Sequence, residues 1–294
     1  MKTAAAAVLF LFISITAKAQ SLAWWENTVH WDGVTHWERY IIYTPGYLGP
    51  NALPVPHISN GSIDSINVFG VSGTYHYSKE DKTVNTTLYA NYSFLKDKIS
   101  FDLFWVPIEH YSMTHELKTE RHVFAFKYYD RTATGDIHLT TNVQLFKKRF
   151  WQSALRLGYR FPTSTGIGSA RSTNGPGYWM DISFGKTFRS IPHLKWIGMI
   201  GGYFWQADNI EIRHKQDDAF LIGSGLEWNK NKFRLQTYVA GYFGYFKKRD
   251  DPVVFRFNMD KTIKRNIWFF RVQQGLNDFE YSSAELGMKY IFKK

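Results

Sequence analysis

The sequence predicts an all-β chain: a transmembrane antiparallel β-barrel of about 14 strands, with about 12 as the alternative count, preceded by a Trp-rich N-terminal segment. Three observations predict it. Segment after segment alternates apolar and polar residues with a period of two. Aromatic residues make up 18% of the chain, with 11 Trp, 18 Tyr and 24 Phe, while mean hydropathy stays slightly negative. That combination suits amphipathic strands girdled by aromatic belts better than a greasy core. Beyond the N-terminus, no stretch carries the roughly eighteen consecutive apolar residues of a membrane helix.

The N-terminus reads MKTAAAAVLFLFISITAKAQ. Lys2 supplies a positive start, the run from Ala4 to Thr16 is apolar, and small residues stand at Ala17 and Ala19. This is the form of a secretory signal cleaved after Ala19. Its apolar run of about thirteen residues is shorter than the roughly 20 that cross a bilayer as a helix. The chain thus divides into a signal peptide at 1–19, a Trp-rich segment at 20–60 that serves as a plug or carries the first strand, and a barrel at 61–294. The absence of cysteine leaves no lipoprotein anchor and no disulfide framework, which with export fits a Gram-negative bacterial envelope.

Formal charge is +11, and removing Lys2 and Lys18 leaves +9. Export sets a nucleic-acid partner aside. The basic runs at 147–149 and 247–251 read as solvated turns; a basic rim facing lipopolysaccharide, or a lumen biased toward anions, is the alternative.

LAWWENTVHWDGVTHWERY places Trp24, Trp25, Trp31 and Trp37 within fourteen residues. Their indoles offer stacking surface for an apolar ligand if the segment plugs the barrel mouth; otherwise they belong to the periplasmic aromatic girdle. An upstream strand at 36–44 would complete an even count.

Candidate strands follow at 66–78, 84–95, 99–112 and 117–130. Between the last two, FWVPIEHYSMTHELKTERH gathers Glu109, His110, Glu120, Arg121 and His122. The histidines and carboxylates among them could bind a metal if they converged; on a hairpin these residues form a solvated tip or lumenal ion pairs, and no metal or cofactor is expected. A His-x-Ser pair of the kind used by barrel hydrolases occurs at His110 and Ser112, but also at His76 and Ser78 and at His57 and Ser59. Any strand puts residues two apart on one face, so the pattern is cheap and the chain is not read as an enzyme.

GDIHLTTNVQLF, 135–146, is the clearest strand. Ile137, Leu139, Val143 and Leu145 share one face and Asp136, His138, Asn142 and Gln144 the other. FWQSALRLGYRF, 150–161, repeats the pattern, with Arg156 and Arg160 on its polar row. In lipid every backbone polar group must be paired within the protein, so the strands must close into a barrel. The apolar rows then face acyl chains, and the six polar residues just named on these two strands face the lumen as candidates for contact with a permeant. Further strands are read at 177–188, 194–206, 218–228, 233–246, 252–260, 266–274 and 281–292, separated by short polar turns such as KDK and NKNK. With the C-terminus periplasmic, the longer connections at 162–176 and 207–217 fall outside.

The run from Thr134 to Phe188 resembles the outer-membrane barrel family of phenol-degradation operons, which shares its general architecture with long-chain fatty-acid channels. The resemblance rests on Gly135 and Asp136, on Pro162, Thr163 and Gly166, and on Gly175 and Gly177. It covers about 55 residues and departs from the family where Ser164 and Thr165 separate Thr163 from Gly166. PGYLGPNALPVP, 45–56, is similar to an element of barrel proteins in gut and soil Bacteroidota. The first resemblance implies passive uptake of small hydrophobic or aromatic molecules. Outer-membrane lipid, lipopolysaccharide and the barrel assembly machinery are then the expected partners. A structural or surface-interaction barrel with a filled lumen is the alternative, and a lipase or lipid A deacylase type of barrel the second.

Overall fold

The computed structural model describes residues 23–63, 66–95, 98–124, 130–210, 215–246 and 248–292. The export signal read at 1–19 lies outside these residues. The chain forms two units, one ending at Thr35 and one spanning His36–Lys294.

In the first unit, the short helix Ala23–Val29 carries Trp24 and Trp25. The rings of Trp25 and Trp31 stand 6.3 Å apart, and the Trp31 indole donates to the Thr35 carbonyl.

The second unit is a closed antiparallel sheet. Its strands are β1 (Asn67–Tyr77), β2 (Asp81–Leu95), β3 (Ile99–Met113), β4 (Asp130–Ala133), β5 (Ile137–Lys147), β6 (Trp151–Phe161) and β7 (Gly177–Thr187). They continue as β8 (Leu194–Gln206), β9 (Gln216–Lys230), β10 (Phe233–Phe243), β11 (Val253–Ile263), β12 (Asn266–Asn277) and β13 (Ser282–Phe292). Except at β4, neighbours in sequence pair antiparallel, β3 pairing with β5, and β1 closes on β13 in register from Asn67 opposite Phe292 to Tyr77 opposite Ser282.

Among the described residues β4 is the one strand outside the ring. It pairs only with the upper part of β3, while β5 pairs with the lower part. Pro107 lies between the two stretches, where it can donate no ladder hydrogen bond, and the β2–β3 register shifts opposite it. The barrel is therefore twelve-stranded with one added strand, which selects the lower of the two counts.

Two segments read as strands are built otherwise. Residues 36–44 begin with the 3-10 turn Trp37–Tyr40, and Tyr40 through Thr44 are buried at every position. An apolar run on both parities belongs inside a core and not in a two-faced wall. In 117–130, Thr114 caps the helix His115–Glu120 by accepting from the Leu117 N–H, so helix replaces strand there before β4 begins.

Strand alternation sets the wall. Along β1, Val68, Gly70, Ser72, Thr74 and His76 are buried, while Phe69, Val71, Tyr75 and Tyr77 are exposed. Leu139, Leu157, Ile182, Ile200, Phe220 and Trp268 likewise face out. The short connections 148–150, 188–193, 231–232 and 264–265 share one end of the barrel with Asn67 and Phe292. At 231–232, Asn231 and Lys232 both take positive φ, 52° and 62°, the backbone twist a two-residue hairpin requires. The longer connections, after β3, β6, β8 and β10, leave from the opposite, loop end.

Candidate functional site

Residues 41–63 run through the barrel interior from the loop end to the turn end. At the loop end, the Trp205 indole donates to the Tyr43 carbonyl and Asn209 to the Ile41 carbonyl. Midway, Tyr242 donates to the Leu53 carbonyl, and Arg256 to those of Val55 and Pro56. At the turn end, Gln152 donates to the Asn60 carbonyl, and Gln144 both donates to Gly61 and accepts from the Ile63 N–H.

The composition of the segment explains how it can lie there. A chain inside a barrel has no ladder partner, and buried main-chain groups must be paired. Pro45, Pro50, Pro54 and Pro56 remove four of the donors, and inward side chains of the wall satisfy the carbonyls. Ile41, Tyr43, Leu48, Leu53, Val55 and Ile58 are buried in one core with Tyr203, Trp205, Leu221, Tyr238 and Tyr242. Close approach is allowed by glycine: a Cβ at Gly223 would come within 2.7 Å of the Ile58 side chain.

Beside this segment a cavity of about 340 Å³ remains. One wall is aromatic, formed by Phe104, His138 and Trp179, with Phe104 and His138 edge to face at 5.2 Å. Trp179 reaches inward because Gly158 leaves room for its indole, which a Cβ would meet at 2.0 Å. The other wall is charged, formed by Arg156, Arg234, Arg256, Arg271 and Lys289 with Asp102 and Asp260.

Most of these charges are compensated. Arg156 binds Asp181 at 2.8 Å, Arg271 binds Glu285 at 3.2 Å, and the Arg234 Nε donates to Asp260 at 2.8 Å. Asp102 accepts from the Asn91 and Asn142 amides, each at 2.6 Å.

The lumenal residues read from the sequence therefore divide. His138 and Arg156 line the cavity, Asn142 orients Asp102, and Gln144 holds the threaded segment. Asp136 and Arg160 form a fully buried pair at 2.6 Å. Arg160 also donates to Thr173 and the Gly175 carbonyl, so this pair fastens the loop 162–176 and does not meet the cavity.

The polar hairpin residues divide as well. Glu109 is buried and accepts from Asn51 and Arg171, whereas His110 is exposed and bonds Thr132. Glu120 pairs with Arg249, Arg121 with Asp81, and His122 bonds the Tyr40 carbonyl. Among the described residues, no three His, Asp or Glu side chains converge as metal ligands. Trp37 stacks on Phe124 at 4.5 Å.

Sequence reading did not single out Arg234, Arg256, Arg271, Lys289 or Tyr89. The signal was present in FRFNMD, where Arg256, Asn258 and Asp260 alternate with Phe255, Phe257 and Met259. It was present again in β13, where Glu285 and Lys289 share one parity.

No protein-family model matches the chain, and no curated protein matches its sequence. Solved structures do resemble it. An outer membrane channel from Pseudomonas putida F1 superposes with a TM-score of 0.57 at 11% identity, over 81% of this chain and 100% of that one. The NanC porin superposes with a TM-score of 0.51 at 9% identity, over 76% of this chain and 98% of that one. Both likenesses are of fold: the chain has the architecture of an outer-membrane β-barrel.

Proposed function

We propose that the protein is an outer-membrane channel for passive passage of small, largely hydrophobic or aromatic molecules. The observation that carries this reading is the contrast between the two faces of one wall. The outer row is apolar around the ring, and the inner row and the threaded segment enclose a cavity of about 340 Å³ with an aromatic and a charged wall, within the size range of small-molecule sites. Such an exterior suits acyl chains. The likeness to a channel and a porin, and the signal-like residues 1–19, support export to the outer membrane, with lipopolysaccharide and the assembly machinery as partners.

The aromatic wall of Phe104, His138 and Trp179 favours flat permeants. No covalent step is assigned. The threaded segment also favours a second reading, a barrel whose lumen is kept filled and whose role is structural or lies at the cell surface. Liposome swelling with the purified protein separates the two. Passage of benzamide or benzyl alcohol is expected; absence of passage for every aromatic and fatty solute tried leaves only the filled barrel.

A further inference from the structure

Charge bookkeeping along the cavity leaves one cation over. Three arginines are matched one to one, Arg156 with Asp181, Arg234 with Asp260 and Arg271 with Glu285. Arg256, which spends its donors on Gln273 and on the carbonyls of Val55 and Pro56, and Lys289 both lack a carboxylate in contact, and Asp102, held by two amides, is one negative charge against these two cations. Lys289 is the less engaged of the two. Among the described residues its ammonium has no carboxylate partner and no hydrogen bond; it lies 4.9 Å from the Tyr89 ring and 5.4 Å from that of Phe269. Ring faces attract a cation but do not neutralise it.

The wall is shaped to admit this lysine. On the neighbouring strand stands Gly70, where a Cβ would come within 2.6 Å of the Lys289 Cγ. Space has thus been left for the stem, so that the ammonium reaches the cavity. A charge held away from bulk water with no counter-charge in contact is costly, Asp102 and Asp260 acting on Lys289 only from a distance, and a bound anion lowers that cost. The space available far exceeds what an inorganic ion fills, and part of the remaining wall is aromatic, at Phe104 and Trp179.

We infer that the cavity beside Lys289 is a binding site for small organic anions with a flat apolar body, an aromatic monocarboxylate being the simplest member of the class. The carboxylate meets Lys289, with Arg271 and Arg234 beside it, and the ring lies against Phe104 and Trp179. This inference rests on the channel reading only for its physiological meaning; the site itself can be tested by equilibrium binding.

The purified full-length protein in neutral detergent is titrated with benzoate, with benzamide and with inorganic phosphate, following tryptophan fluorescence. Benzoate is expected to bind about tenfold or more tighter than benzamide, since one charge-assisted contact distinguishes them, and phosphate is expected to compete weakly. Lys289→Gln should lose about tenfold in benzoate affinity with benzamide unchanged, and Lys289→Arg should retain most of it. Heat-modifiable electrophoretic mobility verifies that each variant is folded; if Lys289→Gln does not fold, the comparison of the three probes on the wild-type protein stands alone.

Equal affinity for benzoate and benzamide, phosphate binding as tightly as benzoate, or an unaltered benzoate affinity in folded Lys289→Gln each overturns the inference. Swelling experiments keep the two readings apart. Benzamide passage without benzoate preference leaves the channel and removes the site. Lys289-dependent benzoate binding without passage of any solute leaves the site and removes the channel.

Discussion

Arg171 grips both oxygens of Asp81, at 2.6 and 2.7 Å, with both side chains shut off from solvent. Arg171 descends from the loop 162–176, and Asp81 begins β2. The same carboxylate accepts from Arg121 and from the Tyr281 hydroxyl, and Arg171 also reaches Glu109 and Thr83. Three loop-end connections thus converge on Asp81 of β2, and Arg171 links it to a second anion, Glu109 of β3. The threaded segment joins them where Asn51 donates to Glu109 and the Gly49 N–H to the Ala170 carbonyl. Gly49 itself is needed there, since a Cβ would strike the Arg171 side chain at 2.5 Å.

Breaking this pair from one side should be severe. Arg171→Met leaves Asp81 and Glu109 short of a cation, and removal of one partner from a buried pair costs about 3–5 kcal/mol. The expected result is a lower urea midpoint for the purified barrel, with faster solute entry into liposomes as the loop and the segment loosen. Arg171→Lys should fall between, because a single ammonium cannot reach Asp81 as Nη2 does and Glu109 and Thr83 as Nη1 does. A midpoint for Arg171→Met equal to wild type would show that the cluster does not close the loop end.

The threaded segment should govern passage. The chain contains no cysteine, so an introduced pair is unambiguous. Gln152 donates to the Asn60 carbonyl at 2.7 Å, which makes Asn60→Cys with Gln152→Cys a suitable double variant for a short thiol cross-linker. Tethering the segment to β6 is expected to slow swelling by solutes too large for the cavity beside it, and a reducible cross-linker should restore the rate on reduction. Rates unaffected by cross-linking would mean that solutes pass without displacing the segment.

The connection 244–252 should be sensitive to alkali. Burial, and then the neighbouring Asp217, push the Asp250 carboxyl up to about 10, and its Oδ2 accepts the Phe246 N–H. A carboxyl whose folded value is raised above its ordinary value of roughly 4 holds its proton more tightly when folded. The stability it contributes is complete below that ordinary value and is lost as pH rises through the folded one. Proteolysis of this connection should therefore accelerate in wild type toward about pH 10, whereas Asp250→Asn should show a flatter profile. Other groups titrate in the same range, so the informative quantity is the difference between the two proteins. Parallel profiles would show that Asp250 does not carry the effect.

The wall was legible in the sequence and the interior was not, for a physical reason. A strand with lipid on one side and polar surroundings on the other must alternate, so 135–146 and 150–161 could be read residue by residue. Whether an inward residue meets a cavity or another side chain depends on what crosses the barrel, and periodicity is silent on that. Asp136 and Arg160 obey the same parity as His138 and Arg156, yet the first two close on each other. Tyr40 to Thr44 looked like a strand because apolar β-branched and aromatic residues suit one; only their burial on every side reveals a core segment. The prolines at 45, 50, 54 and 56 were the available sign that this stretch pairs with no neighbour.

The orientation of the wall yields the most direct test. Leu157 faces out from the middle of β6, while Thr140, across from Gly158 on β5, lines the cavity. The two positions are nearly level, so they differ mainly in the medium they meet. An arginine on the lipid side near the bilayer midplane costs about 2–4 kcal/mol. The same side chain at 140 enters a cavity with a carboxylate at Asp102; repulsion from the arginines and Lys289 already there adds to its cost, which should still stay below that of the lipid-facing arginine. Urea unfolding of Leu157→Arg and Thr140→Arg in lipid bilayers, followed by tryptophan fluorescence, measures the difference. A larger loss for Thr140→Arg than for Leu157→Arg would reverse the assignment of lipid and lumen on which the channel reading depends.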